Sequence, residues 1–283
     1  MKRFAFPFIL LSFLLSGCNN SPSQEDDLRD EFGVFLGATS QDFEKIKGYQ
    51  NLCIDVDEFS TSELAYFSEN KIDVYAYLSI GSLENYRSYY DTFKHLEFYE
   101  YENWPDEKWV DVSDLSWQNH ITSEANRLKE LGASGLFMDN FDVYYIALEE
   151  YEEATPSFKE AIYQGCKSIL SNLSNIGLKL IINSGTDFLE RLNEEHSDLL
   201  DKIDIYAQEC VFSSIEDYDK DDFGRQNKED HDYYVDIINM MKSHSSILLI
   251  EYTVDIDLIN EIKSYCTSNN FSYYISSTVD LKA

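Results

Sequence analysis

Hydrophobic positions in this chain fall into short runs separated by polar stretches of helical spacing. The runs are "FGVFLG" (32–37), "NLCIDVD" (51–57), "DVYAYLSIG" (73–81), "WVDV" (109–112), "GLFMDN" (135–140), "LKLIINSG" (178–185), "IDIYAQE" (203–209), "ILLIEY" (247–252) and "FSYYISS" (271–277). Most are continuous rather than alternating, as parallel strands covered on both faces require. Between them, stretches such as "TSELAYFSENK", "SWQNHITSEANRLKELG", "PSFKEAIYQGCKSILSNLSNIG" and "DIDLINEIKSYCTSNN" repeat apolar residues at helical period. Several of these open on a Ser, Thr or Asp that can cap a helix, and two end at Gly. Strand and helix in alternation predict an α/β fold. The turn after the first run, "GVFLGATSQDF", lacks the glycine pattern that a doubly wound nucleotide-binding sheet needs there. Eight parallel strands in about 250 residues predict a (β/α)8 TIM barrel, with the ninth run an extra strand or none. The connections 82–108 and 212–234 are too long for simple barrel turns, and the first is expected to form a cleft wall.

The N-terminus breaks this pattern. "MKRFAFPFILLSFLLSGC" places two basic residues before an apolar run, then small residues before Cys18. The run is too short for a comfortable membrane span, which takes about 20 apolar residues, and it reads as an export signal. Residues 1–17 are therefore expected to be removed and Cys18 to become a lipidated N-terminus, with 18–31 as a polar tether. A single barrel domain is expected over 32–283. The expected location is outside the cytoplasm, as a membrane-anchored lipoprotein facing the periplasm or the cell surface. Of the five cysteines, Cys53, Cys166, Cys210 and Cys266 remain, with a pairing that spacing cannot assign.

Charge narrows the partners. The formal net charge is −31, from 53 acidic and 22 basic side chains. Phosphate binding needs clustered Lys and Arg, so nucleic acid is excluded as a partner, and a cationic ligand is favoured.

Candidate chemistry gathers where the runs end. Asp55 and Asp57, Ser79, Asp111, Asp139 and Asn140, Asn183, Glu209, and Glu251 with Tyr252 all stand at the C-terminal ends of predicted strands. In a TIM barrel those ends form the face that carries the active site. Carboxylates there are partly desolvated and close together, and two of them suffice to hydrolyse a glycosidic bond without metal or organic cofactor. The five histidines are scattered and no metal-ligating pair or nucleophile elbow occurs. "DYDKDDFGRQNKE" (217–229) has Asp222 where a calcium loop needs glycine and Lys228 where it needs glutamate. The aromatic stretches "ENYRSYY" and "EFYEYENW" beside a carboxylate cleft predict a saccharide groove, since sugar rings present apolar CH faces.

Five motifs taken in order, "YLSIGSLENYR" (77–87), "WPDEKWVDV" (104–112), "GLFMDNFDVY" (135–144), "AQEC" (207–210) and "IEY" (250–252), resemble those of the endo-α-1,4-polygalactosaminidases, a glycoside hydrolase family of TIM-barrel fold. The resemblance implies that Asp139 and Glu209 are the catalytic pair. It also implies cleavage of α-1,4-linked galactosamine polymers, whose free amines are cationic. Glu84, Arg87 and Glu251 match further family positions. The chain departs from the family at "SYY" after Arg87, at Ser134, and at "IIN" (181–183), where a lysine is often found.

Together these readings predict an endo-acting glycoside hydrolase with Asp139 as nucleophile and Glu209 as acid/base. Asp55, Asp57, Tyr77, Glu84, Arg87, Trp104, Asn140, Asp142, Asn183, Glu251 and Tyr252 are expected to bind the polysaccharide. A reading from another class is a non-catalytic polysaccharide-binding envelope lipoprotein on the same barrel, which predicts binding that survives Asp139→Asn.

Overall fold

A computed structural model describes residues 32–283. Residues 1–31, with Cys18 and the predicted signal and tether, lie outside the described residues. Eight strands form one parallel sheet in chain order: β1 (Phe32–Phe35), β2 (Asn51–Ile54), β3 (Asp73–Ser79), β4 (Gly135–Asp139), β5 (Lys179–Asn183), β6 (Ile205–Glu209), β7 (Ser246–Tyr252) and β8 (Ser272–Ser276). The sheet curls into a nearly closed barrel, and at the seam Phe35 of β1 packs edge-on against Tyr274 of β8 with ring centroids 5.2 Å apart. Most strand residues are buried, as the continuous apolar runs require.

Helices cover the barrel where periodicity placed them. Among them are α1 (Thr61–Glu69), α2 (Leu115–Glu130), α3 (Pro156–Leu173), α4 (Thr186–His196), α5 (Lys228–Met241) and α6 (Ile256–Asn269). Side chains of Ser60, Asp114, Thr155, Asn227 and Asp255 cap five of them by accepting backbone N–H groups of the first turn. Gly132 and Gly177, at φ of +100° and +78°, turn the chain after α2 and α3 in a left-handed conformation open to glycine.

The ninth run is not barrel wall. "WVDV" belongs to a three-stranded antiparallel sheet of Ser82–Glu84, Glu97–Glu100 and Glu107–Val110, inserted after β3. Trp109 and Val110 are apolar because that sheet packs onto the main core, not because the run crosses it. Asp111 thus stands away from the barrel mouth, and its carboxylate accepts from the N–H and hydroxyl of Ser113. The second long connection becomes an antiparallel hairpin, Ser213–Asp217 with Asp222–Arg225, followed by α5.

The inserted sheet is tied to the mouth through the turn after β3. Ile80 N–H donates to the Asp139 carbonyl at 3.0 Å, Val110 N–H to the Gly81 carbonyl at 3.0 Å, and the buried Trp117 indole to the Ile80 carbonyl at 2.8 Å. A Cβ on Gly81 would lie 2.0 Å from the Asn140 carbonyl oxygen, so only glycine lets these two turns touch. Gly81→Ala is expected to cost about 1–3 kcal/mol by forcing them apart. Denaturant unfolding measures this, and wild-type stability in the variant would show that the turns are free to separate.

Candidate active site

Three barrel strands end in a turn of the same kind. Asn140, Ser184 and Cys210 follow the last residues of β4, β5 and β6, and all adopt left-handed backbone with φ of 68°, 54° and 56°. That region is unfavourable for residues with a side chain, Asn least so, and its repetition at one face marks a place where local strain is held by the surrounding fold. Each turn follows a strand-end side chain at the mouth: Asp139, Asn183 and Glu209.

These three groups form one unit. The Asn183 side-chain amide donates to Asp139 Oδ1 at 3.0 Å and to Glu209 Oε1 at 2.6 Å through the same nitrogen. The two carboxyl oxygens therefore lie no farther apart than those lengths taken together, about 5.6 Å, short of the roughly 6.5–9.5 Å that leaves room for an inverting water. The amide must present nitrogen to both oxygens, since its own oxygen there would meet two acceptors. Asn183 Oδ1 is consequently buried with no partner among the described residues, at a cost of about 1–3 kcal/mol. Asp139 Oδ1 also accepts from the Asn140 N–H at 2.9 Å, and Glu209 Oε2 accepts from the Tyr252 hydroxyl at 2.6 Å. Burial, reinforced by the charge of Glu209, holds the Asp139 carboxyl well above the usual carboxylate range.

A cleft of about 620 Å³ surrounds the pair. Its lining includes Asp55, Glu84, Asp106, Glu107, Asp139, Asp142, Glu209 and Asp280 against Arg87 and Lys282, with Tyr77, Tyr86, Tyr101, Trp104, Tyr218, Tyr234 and Tyr252 between them. Arg87 is committed: it grips Glu84 through Nε at 2.7 Å and Nη2 at 3.0 Å, and Nη2 also meets Asp55 at 2.8 Å. Its guanidinium lies over Tyr86 and Tyr77, 5.2 Å and 5.9 Å from their ring centroids. Asn140 joins the inserted sheet to the barrel by donating to Ser79 and Ser82 hydroxyls and accepting from Tyr101.

Nine of the eleven expected binding residues line this cleft: Asp55, Tyr77, Glu84, Arg87, Trp104, Asn140, Asp142, Asn183 and Tyr252. Two do not. Asp57 points outward and pairs with Arg127 at 2.8 Å through both oxygens. Glu251 is fully buried behind the wall, where it accepts from the N–H groups of Phe212 and Ser213 and the Ser213 hydroxyl at 2.6 Å, and burial pushes its carboxyl up to about 7. Its place is to hold the root of the hairpin after β6. Among the described residues no group of three His, Cys, Asp or Glu is arranged to hold a metal ion, and Cys53, Cys166, Cys210 and Cys266 are free thiols.

The sequence pattern passed over Glu107, Tyr101 and Tyr218 as individual residues. Glu107 follows the predicted aromatic stretch, and only the pairing of the small sheet turns it into the cleft. Burial and nearby Glu84 push its carboxyl up to about 7, against a hydrogen bond from the Ser82 hydroxyl at 2.7 Å. Because its folded pKa exceeds the unfolded value of about 4.5, its contribution to stability is full below that value and is lost as pH rises towards 7. Glu107→Gln should therefore gain stability relative to wild type between pH 5 and pH 8, on the order of 1 kcal/mol or more. Unfolding curves at both pH values test this, and an equal difference at the two would contradict it.

A profile for glycoside hydrolase family GH114 matches residues 20–281. No curated protein sequence matches the chain. Solved structures of similar fold include the glycoside hydrolase domain of PelA from Pseudomonas aeruginosa, at 18% identity and a TM-score of 0.72 over 89% of this chain and 96% of that one. Aspergillus fumigatus Ega3 in complex with galactosamine matches at 17% identity and a TM-score of 0.66, over 90% and 93%. An α-galactosidase from Thermus thermophilus matches at 8% identity and a TM-score of 0.55, over 85% and 57%. At these identities the solved structures speak for the barrel fold, and the family profile, which covers most of the chain, speaks for the chemistry. A strand-end carboxyl pair in an acidic, aromatic cleft is what such chemistry requires, and this chain belongs to glycoside hydrolase family GH114.

Proposed function

We propose that the protein is an endo-acting hydrolase of α-1,4-linked galactosamine polymers that works with retention of anomeric configuration. The observation that carries this is the Asn183 amide shared by Asp139 and Glu209, which keeps one oxygen of each within about 5.6 Å of the other and so favours the short carboxyl separation, about 5–5.5 Å, of retaining enzymes. Both donors to Asp139 fall on Oδ1, leaving Oδ2 available to attack C1. In the first step Asp139 bonds to C1 while Glu209 gives its proton to the departing glycosidic oxygen, releasing the shortened chain. In the second, Glu209 takes a proton from water, the resulting hydroxyl bonds to C1, and the ester bond to Asp139 breaks. A cationic substrate favours the start of this sequence, because an ammonium group near the buried Asp139 stabilises its ionised form.

Eight carboxyl groups around the cleft against two cations support a polymer of free amines as the substrate. Ega3, of similar fold, was solved with galactosamine. An anchor at lipidated Cys18 would hold the domain at a membrane, facing the periplasm or the cell surface, within reach of an envelope polysaccharide.

Incubating the protein with partially deacetylated α-1,4-galactosaminogalactan should create new reducing ends, and Asp139→Asn and Glu209→Gln should each lower that rate about 1,000-fold or more with the fold intact. Wild-type rates in either variant would remove that residue from the mechanism, and undiminished binding without new ends in the wild type would make the protein a polysaccharide-binding one. Binding of the polymer to Asp139→Asn should weaken steeply as ionic strength rises, and affinity indifferent to salt would contradict the electrostatic basis of recognition.

A further inference from the structure

Two segments outside the barrel meet across the cleft. One is the stretch between the second and third strands of the inserted sheet, carrying Trp104; the other is the tip of the hairpin, carrying Tyr218. They leave the barrel after β3 and β6, with β4 and β5, the strands that end in Asp139 and Asn183, between them. Trp104 and Tyr218 nevertheless touch, with ring centroids 6.4 Å apart and planes at 86°. In a perpendicular contact the edge of one ring meets a face of the other, so one of the two rings keeps both faces free of its partner. Tyr218 remains 39% exposed although it lines the cleft.

The pair is firmly mounted. Glu251 holds the hairpin root, Gln226 donates to the carbonyls of Phe212 and Cys210, and Asp221 at the hairpin tip accepts from Val279 N–H at 2.6 Å. Phe223, on the returning strand, packs 6.0 Å from Tyr252, whose hydroxyl holds Glu209. The aromatic pair is therefore fixed relative to a catalytic carboxyl, yet it stands outside the shell of Asn140, Asn183 and Tyr252 that touches the carboxyls directly. Two adjoining rings in the cleft wall, Tyr218 open to solvent and Trp104 partly so, fit the CH face of a pyranose, and Asp106, also in the lining, supplies charge for its ammonium group.

Resting on the function proposed above, we infer that Trp104 and Tyr218 form a separate sugar subsite that holds a residue of the polymer away from the bond being cleaved, and that Tyr218 is a specificity-determining residue for long chains. Short oligomers seated only at Asp139 and Glu209 do not reach it.

The full chain carrying Asp139→Asn, titrated with the dimer and heptamer of α-1,4-galactosamine, tests this by calorimetry and intrinsic tryptophan fluorescence. Trp109 and Trp117 are 3% and 0% exposed, so Trp104 is the indole that a ligand can reach among the described residues. The heptamer should alter the emission and the dimer should not. Tyr218→Ala should weaken heptamer binding about tenfold, leave dimer binding unchanged, and be rescued by Tyr218→Phe. Heptamer affinity unchanged in Tyr218→Ala, or heptamer binding seen by calorimetry with no change in emission, would overturn the subsite while leaving the proposed function standing. Absence of binding by either oligomer would overturn both.

Discussion

A single amide nitrogen organises this site. Asn183 Nδ2 lies at hydrogen-bond distance from one oxygen of Asp139 and one of Glu209, and two carboxyls brought that close repel each other unless a donor stands between them. The donor sets the separation, and the separation sets which chemistry the pair can do. Placing it there leaves the amide's own oxygen buried without a partner among the described residues, so the arrangement persists because the strands on either side dictate it. Adjacent parallel strands put Met138 level with Ile182 and Asn183 level with Ala207, which brings Asp139 and Asn183 side by side at the mouth and leaves Glu209 two residues further along β6.

Everything around the unit serves to keep it in place or to charge its surroundings. Left-handed turns after β4, β5 and β6 end each strand abruptly at the mouth. Ser79 at the end of β3 braces Asn140 together with Ser82 and Tyr101 of the insertion, and the hairpin braces Tyr252 through Phe223. Arg87 pairs with both Glu84 and Asp55, and burial holds the carboxyls of Asp139, Glu107 and Asp142 towards their neutral forms.

The barrel was legible because parallel strands buried on both faces write continuous apolar runs, and eight of the nine runs are barrel strands. "WVDV" misled because a small antiparallel sheet packed onto the core has the same local composition. Strand-end position put Asp139, Asn183 and Glu209 at the mouth, where they meet, but it could not say which way a side chain points. Successive residues of a strand face opposite ways. On β7 the Tyr252 hydroxyl reaches Glu209, so Glu251, one residue earlier, turns to the other face and holds the hairpin root. Glu107, Tyr101 and Tyr218 depend on contacts between segments far apart in the chain, and no local pattern announces those.

The central claim is that one amide holds two carboxyls at the separation for a double displacement. Proton NMR of the first-formed products of α-1,4-galactosamine oligomers, recorded before mutarotation, tests it most directly. A double displacement predicts that the new reducing end appears as the α-anomer and the β-anomer grows in later. A β-anomer formed first would mean inversion, and would contradict a nucleophilic Asp139 held beside Glu209 by Asn183.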